Sequence, residues 1–245
     1  MAHYLVTGGA GFIGSHLTEE LVRRGHRVRV ADSLITGKRS NLSHIPDVEF
    51  MEGDLANLEF ARRAVAGCEY VLHQAAIPSV PRSVKDPISS NRANVDATLN
   101  TLVASRDAGV KRLVFAASSS AYGETPTLPK HEEMPTQPLS PYALQKVIGE
   151  QYLQLFTRLY GLETVAIRTS TCSGPGRIRP LRTPASSRCL RRHSSRTALR
   201  RSTATASRRG ISRTWRTLSM ASSAPARRRA RRGKSSTWPR ADAFR

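Results

Sequence analysis

The chain has 245 residues and a formal charge of +21, but the charge is unevenly spread. Residues 1–168 hold 18 Lys and Arg against 17 Asp and Glu, whereas residues 169–245 hold 21 basic side chains and one acid, Asp242. Basicity is therefore a property of the tail, which argues against a nucleic-acid-binding face on the folded part. Three cysteines with no Cys-x-x-Cys pair or Cys/His cluster argue against a disulfide framework and a structural metal, and point to a reducing, cytoplasmic setting. No apolar run approaches a membrane span and no signal-type segment precedes the first strand, so no membrane partner is expected.

Taken in chain order, HYLVTGGAGFIGSHL begins as a β-type run, breaks into a glycine-rich turn and continues as a helix. Gly8, Gly9, Gly11 and Gly14 allow a tight turn and a close backbone approach to an anion. The helix from Phe12 points its free N–H groups and positive dipole end at the same place. Ile13, Leu17, Leu21 and Val22 keep helical spacing, and a second strand, RVRVAD, ends at Asp32. A carboxylate there suits a ribose diol and repels a 2′-phosphate, which favours NAD over NADP.

Further strands are expected near 48–51, 69–73, 112–117 and 163–168, with helices near 12–24, 57–66, 91–108 and 142–160. This alternation predicts an α/β fold, a Rossmann-like doubly wound parallel sheet with helices on both faces. Residues 169–245, rich in Arg, Ser, Thr, Ala and Pro, lack the apolar periodicity to offset chain entropy and are expected to be disordered.

The strand RLVFAASSS ends in Ser118, Ser119 and Ser120, and SPYALQK follows about twenty residues later at a helix start. Tyr142 and Lys146, four apart, share a helix face. A lysine cation beside a nicotinamide cation would favour the tyrosine phenolate, a usable base near neutral pH. Ser118, at the end of a sheet strand, could bond the same substrate hydroxyl. Singly, these residues read more readily as a surface tyrosine, a solvated lysine and a strand-end turn; jointly, downstream of the glycine turn, they read as a site. His73, after Val71 and Leu72, reads as a satisfied strand-end histidine rather than a second base.

Residues 1–168 resemble the extended short-chain dehydrogenase/reductase family, specifically the NAD-dependent nucleotide-sugar epimerases and dehydratases. The resemblance lies in TGGAGFIG, GDL at 53–55, HQAA at 73–76, NVDATLN at 94–100, SSSAYG and YALQK, all in family order. It implies NAD contacts from Gly8, Gly11, Phe12, Ile13, Gly14, Asp32, Asp54, Leu55, Ala75, Tyr142 and Lys146, and catalysis by Ser118, Tyr142 and Lys146. The 4,6-dehydratases carry an Asp-Glu pair where this chain has Ser119 and Ser120, so the likeness is nearer to UDP-glucose or UDP-N-acetylglucosamine 4-epimerases. A UDP-hexose substrate and a homodimer through the helices near 91–108 and 142–160 are implied with it.

Beyond Arg168 the family continues with a segment of the Tyr-Phe-Asn-Val-Phe-Gly-Pro type, then the smaller substrate-holding part. This chain reads TSTCSGPGR. Back-translation of Thr169 to Arg177, regrouped by one base with the last base of the Arg168 codon, can yield Tyr-Phe-Asn-Val-Phe-Gly-Pro-Gly-Gln. The same regrouping recovers family-like segments from Arg209 to Met220 and from Gly233 to Asp242, with the single-codon residues Trp215, Met220 and Trp238 fitting as they stand. Residues 169–245 are therefore read as an out-of-frame translation, and the substrate-holding part is expected to be missing. The expected function is that of a UDP-sugar 4-epimerase by ancestry, impaired in this chain. Two alternatives are a reductase or dehydratase of the same family, and a non-catalytic dinucleotide-binding domain whose basic tail holds nucleic acid.

Overall fold

The computed structural model describes residues 1–125 and 129–169. Six strands form one parallel sheet: β1 (His3–Thr7), β2 (Arg27–Asp32), β3 (Glu49–Glu52), β4 (Tyr70–His73), β5 (Arg112–Ser118) and β6 (Glu163–Thr169). Their order is β3-β2-β1-β4-β5-β6, so the winding reverses between β1 and β4. In an open α/β sheet this reversal opens a crevice at the carboxyl ends of the strands.

The strands are apolar on both faces because helices cover both sides. Leu5, Val71 and Leu113 stand in register across β1, β4 and β5 and join one core with Phe60, Leu102, Phe115 and Leu153. Their neighbours Val6, Leu72 and Val114 point the other way and pack with Leu17, Leu21, Val28 and Val30. Burying each such side chain is worth about 1.5–3 kcal/mol, so a one-residue slip of β4 would exchange the two cores.

The helices are α1 (Phe12–Arg23), α2 (Leu58–Val65), α3 (Val80–Lys85), α4 (Pro87–Asn91), α5 (Ala97–Asp107) and α6 (Pro141–Tyr160). Asn57 caps α2 by accepting from the N–H groups of Glu59 and Phe60, at 2.9 and 3.1 Å. Ser140 caps α6, with Pro141 in its first turn and Gly161 in the left-handed conformation at its end.

One continuous helix was expected over 91–108. The structure instead has α4, a five-residue π-helical stretch (Arg92–Asp96) and then α5. Side-chain competition accounts for the difference. Asn94 is drawn to the loop after β4, accepting from Ile77 N at 2.8 Å, and donates to Gln145 Oε1 on α6 at 2.7 Å. Helices α3 and α4 were not expected either; they are short, and Ser79 and Asp86 cap them. Strand β6 ends at Thr169, one residue past the expected boundary, and among the described residues it pairs only with β5. The rest of the tail, with its expected disorder, lies outside the described residues.

Candidate active site

A cleft of about 1130 Å³ opens at the reversal point of the sheet. Its walls include all the expected site residues: Gly8, Gly11, Phe12, Ile13, Gly14, Asp32, Asp54, Leu55, Ala75, Ser118, Tyr142 and Lys146. They come from the carboxyl ends of five strands, β1 to β5, and the first turns of α1 and α6, positions that one sheet reversal brings together.

The glycine turn leaves no room for side chains. Gly8 has φ +66°, and a Cβ there would lie 2.7 Å from Ala75 N; a Cβ on Gly14 would lie 2.2 Å from the Gly8 carbonyl oxygen. Gly11, at the cap position before helix α1, leaves the helix's first turn with no side chain capping it. Bare backbone, an uncapped helix start and an adjacent carboxylate fit a dinucleotide's pyrophosphate and ribose. Asp32, at the end of β2, is held firmly: Oδ2 accepts from Ala10 N at 3.0 Å and Oδ1 from Leu34 N at 2.8 Å. Gln74 also lines the cleft, and its buried amide Nε2 has no partner in the described structure. It stands inside HQAA, and nothing in its residue type separates it from its neighbours.

At the other end, Ser118 Oγ accepts from Ser120 N at 3.2 Å and from Ser120 Oγ at 2.8 Å. With both acceptor sites taken, its own proton is left for Tyr142, to which it is hydrogen-bonded. Burial nevertheless raises the Tyr142 phenol above its ordinary pKa, and the Ser118 bond only partly opposes this. The expected phenolate therefore does not arise from the protein groups alone. Lys146 is buried rather than solvated: Nζ donates to the Ala116 carbonyl at 2.8 Å and lies 4.6 Å from the Phe115 ring centre. Burial lowers its pKa to about 8, with Glu150 pulling the other way.

His73 is a satisfied interior histidine. It is 1% exposed, and its two ring nitrogens are bonded to Thr7 Oγ1 at 2.8 Å and Thr98 Oγ1 at 3.1 Å. Gln145, next to Lys146, escaped the sequence reading. Its Oε1 accepts from Ser90 Oγ at 2.9 Å and from Asn94 Nδ2 at 2.7 Å, tying α6 to α4 and the π-helical stretch.

The sequence pattern of the NAD dependent epimerase/dehydratase family matches residues 4–208. The chain belongs to this family. A UDP-glucose 4-epimerase of Mycolicibacterium smegmatis is 40% identical over 176 residues, which is 70% of this chain and 56% of that protein. Among solved structures, the Thermus thermophilus UDP-glucose 4-epimerase in complex with NAD is 44% identical with a TM-score of 0.64, covering 68% of this chain and 54% of that one. The UDP-N-acetylglucosamine 4-epimerase of Methanobrevibacter ruminantium, in complex with UDP-N-acetylmuramic acid, is 38% identical with a TM-score of 0.65, covering 68% and 54%. This family member thus spans about half the length of the relatives it matches. No helix among the described residues is long and apolar enough to cross a membrane, and none of their His, Cys, Asp and Glu side chains form a cluster that could hold a metal ion.

Proposed function

We propose that the described part of this chain is the NAD-binding part of a nucleotide-sugar 4-epimerase, an isomerase acting on a UDP-hexose of the glucose or N-acetylglucosamine type. The observation that carries the reading is the convergence of Ser118, Tyr142 and Lys146 on the cleft that the glycine turn also lines. When bound, NAD supplies the hydride acceptor and returns the hydride. Gly8, Gly11, Phe12, Ile13 and Gly14 would hold its pyrophosphate and Asp32 its adenosine ribose. Asp54 and Leu55 would hold the adenine, with Ala75, Tyr142 and Lys146 completing the cradle.

Tyr142 is the base for the sugar 4-hydroxyl. Its buried phenol ionises at a cost, which the Ser118 proton and the Lys146 cation on the same helix face must offset. Ser119 and Ser120 are hydroxyls and cannot serve as the acid/base pair that removal of water requires, which favours epimerisation over dehydration. The test is a frame-restored protein assayed with UDP-glucose, UDP-galactose and their N-acetyl counterparts. Interconversion at the 4-position supports the reading, and a 4-keto-6-deoxy product or released reduced cofactor overturns it in favour of a dehydratase or reductase.

The domain division goes with this reading: residues 1–168 form the NAD-binding domain, and 169–245 translate the substrate-holding part out of frame. Support comes from the abrupt charge change and from the share of relatives' length covered. The family match runs on to residue 208, so the nucleotide sequence around codon 168 is the direct test. A cytoplasmic setting fits the buried, unpaired thiol of Cys68.

A homodimer is part of the same reading. Leu144, Ile148, Tyr152, Leu155 and Leu159 form a stripe along α6, with Leu144, Leu155 and Leu159 exposed. A second copy of this face is the proposed occupant. Sedimentation of the frame-restored protein as a dimer, shifting to monomer in a Leu155→Glu/Leu159→Glu variant, is the expected result.

A further inference from the structure

We infer that Glu150, held in place by Arg168, is a positioning residue for Lys146, the fixed negative charge that keeps the buried ammonium cationic beside Tyr142. The inference rests on the proposed role of the Tyr142/Lys146 pair and extends it to two residues with no role in the reading so far.

The geometry begins with spacing. Glu150 follows Lys146 by four residues on α6, so the two side chains share a helix face. Glu150 is 8% exposed, and Arg168 on β6 donates to both its oxygens, from Nε at 2.8 Å and from Nη2 at 2.6 Å. A bidentate pair of this kind fixes the carboxylate's orientation and gives the buried group a matched partner. The guanidinium in turn lies 4.8 Å over the Tyr122 ring. Arg168 is thereby pinned between the sheet edge and the turn that follows Ser118.

Lys146 has little else to sustain its charge. It is 4% exposed, and its polar contact is the neutral Ala116 carbonyl. The titratable groups around it are Tyr142 and Glu150 on α6, His73 on β4, Arg168 on β6 and Tyr122 in the turn Ser119–Tyr122. The elements on the other side of this part of α6 bring the neutral Ser83, Ser90 and Asn94 against it, and the cations Arg82, Arg92 and Lys130 stand on the walls of the same cleft. On α5, Arg106 meets α6 only at Tyr160, its far end. Burial pulls the Lys146 ammonium down to about 8, and Glu150 is the charged group that raises it. Tyr142 gains nothing from a neutral amine, so the loss of Glu150 would carry through Lys146 to the base.

The experiment follows Lys146 directly and does not need turnover. The chain has six lysines, so 13C labelling at the lysine ε-carbon gives a countable spectrum in the full 245-residue protein, with Lys146 assigned by its loss in Lys146→Met. The wild-type ammonium should titrate near 8. Glu150→Gln should lower that midpoint by about half a pH unit or more, and Glu150→Asp should recover part of the difference. Glu150→Gln leaves Arg168 unpaired and could unfold the edge of the sheet. The double variant Glu150→Gln/Arg168→Met removes both charges and carries the test in that event, with a smaller lowering expected because loss of the Arg168 cation acts in the opposite direction. An unchanged Lys146 midpoint in a folded variant lacking Glu150 overturns the inference and leaves the pair as a tie between α6 and β6. A frame-restored protein without epimerase activity would count against the proposed function and leave this titration standing.

Discussion

His73 donates its Nε2 proton to Thr98 Oγ1 across 3.1 Å, because the Thr98 hydroxyl proton is already committed to the Asn94 carbonyl at 2.6 Å. Nδ1 must then accept from Thr7 Oγ1 at 2.8 Å, while the Thr7 oxygen takes the Ala75 N–H at 3.2 Å. The chain of bonds has one direction, from the cleft wall at Ala75 to the π-helical stretch, and it needs a neutral imidazole.

Acid should therefore destabilise the fold through His73. Burial lowers its pKa to about 3, well below the ordinary histidine value of 6.5. As pH falls, the unfolded chain takes up the proton first, so this contribution to stability is complete above 6.5 and is lost towards 3. The slope approaches about 1.4 kcal/mol per pH unit for one proton. Denaturant unfolding between pH 7 and pH 4.5 should show this slope in the wild type and its loss in His73→Gln. Identical slopes in both proteins would sink the idea.

A methyl group in the glycine turn should weaken cofactor binding sharply without unfolding the domain. In Gly14→Ala the new Cβ would start 2.2 Å from the Gly8 carbonyl oxygen, backbone that cannot yield without opening the turn. Calorimetry with NAD should register at least a tenfold weaker affinity, about 1.4 kcal/mol or more. Gly25→Ala is the control, because nothing lies within 4 Å of its Cβ position, although its φ of +78° adds local strain far from the cleft. Equal NAD affinity in Gly14→Ala and wild type would remove the turn from the site.

Much of this was legible in the sequence, for a physical reason. Glycines, a strand-end aspartate and a Tyr/Lys pair at helical spacing are short-range patterns, and one parallel sheet brings them together wherever its winding reverses. What escaped was the buried polar network joining Thr7, His73, Asn94, Thr98 and Gln145, whose partners are up to 66 residues apart. Spacing along the chain carries no trace of such bonds. The environment of Lys146 was hidden for the same reason: its burial depends on β5 and Phe115, and its charge on an acid held by β6. The direction of the Tyr142 shift likewise came from burial, which a motif does not encode.

Of the residues at the base, Tyr142 should matter more than Ser118. Tyr142→Phe in the frame-restored enzyme removes the proton acceptor and should lower kcat by about 10²-fold to 10⁴-fold. Ser118→Ala removes one bond to the phenol, a group whose burial already raises it, so a smaller loss with an alkaline shift of the pH profile is expected. Rate against pH for both variants checks this, and a Ser118→Ala profile coincident with wild type would take Ser118 out of the base's environment.

Asp32 should set the choice between NAD and NADP. Both its oxygens already accept backbone N–H groups, so the carboxylate is fixed in place and cannot swing away from a 2′-phosphate. The wild type should prefer NAD, and Asp32→Ser should narrow the preference by relieving charge repulsion while weakening NAD itself. Competitive binding of the two dinucleotides to each protein measures this. An unchanged ratio would place the adenosine ribose elsewhere.

The unaltered 245-residue chain should bind NAD weakly at best and show no epimerase activity. The residues proposed to hold the dinucleotide all precede position 169. The asparagine that the family resemblance expects for the substrate is replaced by Thr171, outside the described residues, in a segment whose composition offers no apolar core. On the out-of-frame reading, a lost side-chain amide leaves the sugar nucleotide short of a donor and an acceptor, and loss of the substrate-holding part leaves the cleft open to water, where each charge interaction is weakened. Calorimetry with NAD and a coupled assay with UDP-galactose and UDP-N-acetylgalactosamine on the purified chain test both halves. Turnover on the order of 1 per second would mean that residues 169–245 fold into a working substrate domain, and the out-of-frame reading would then be wrong.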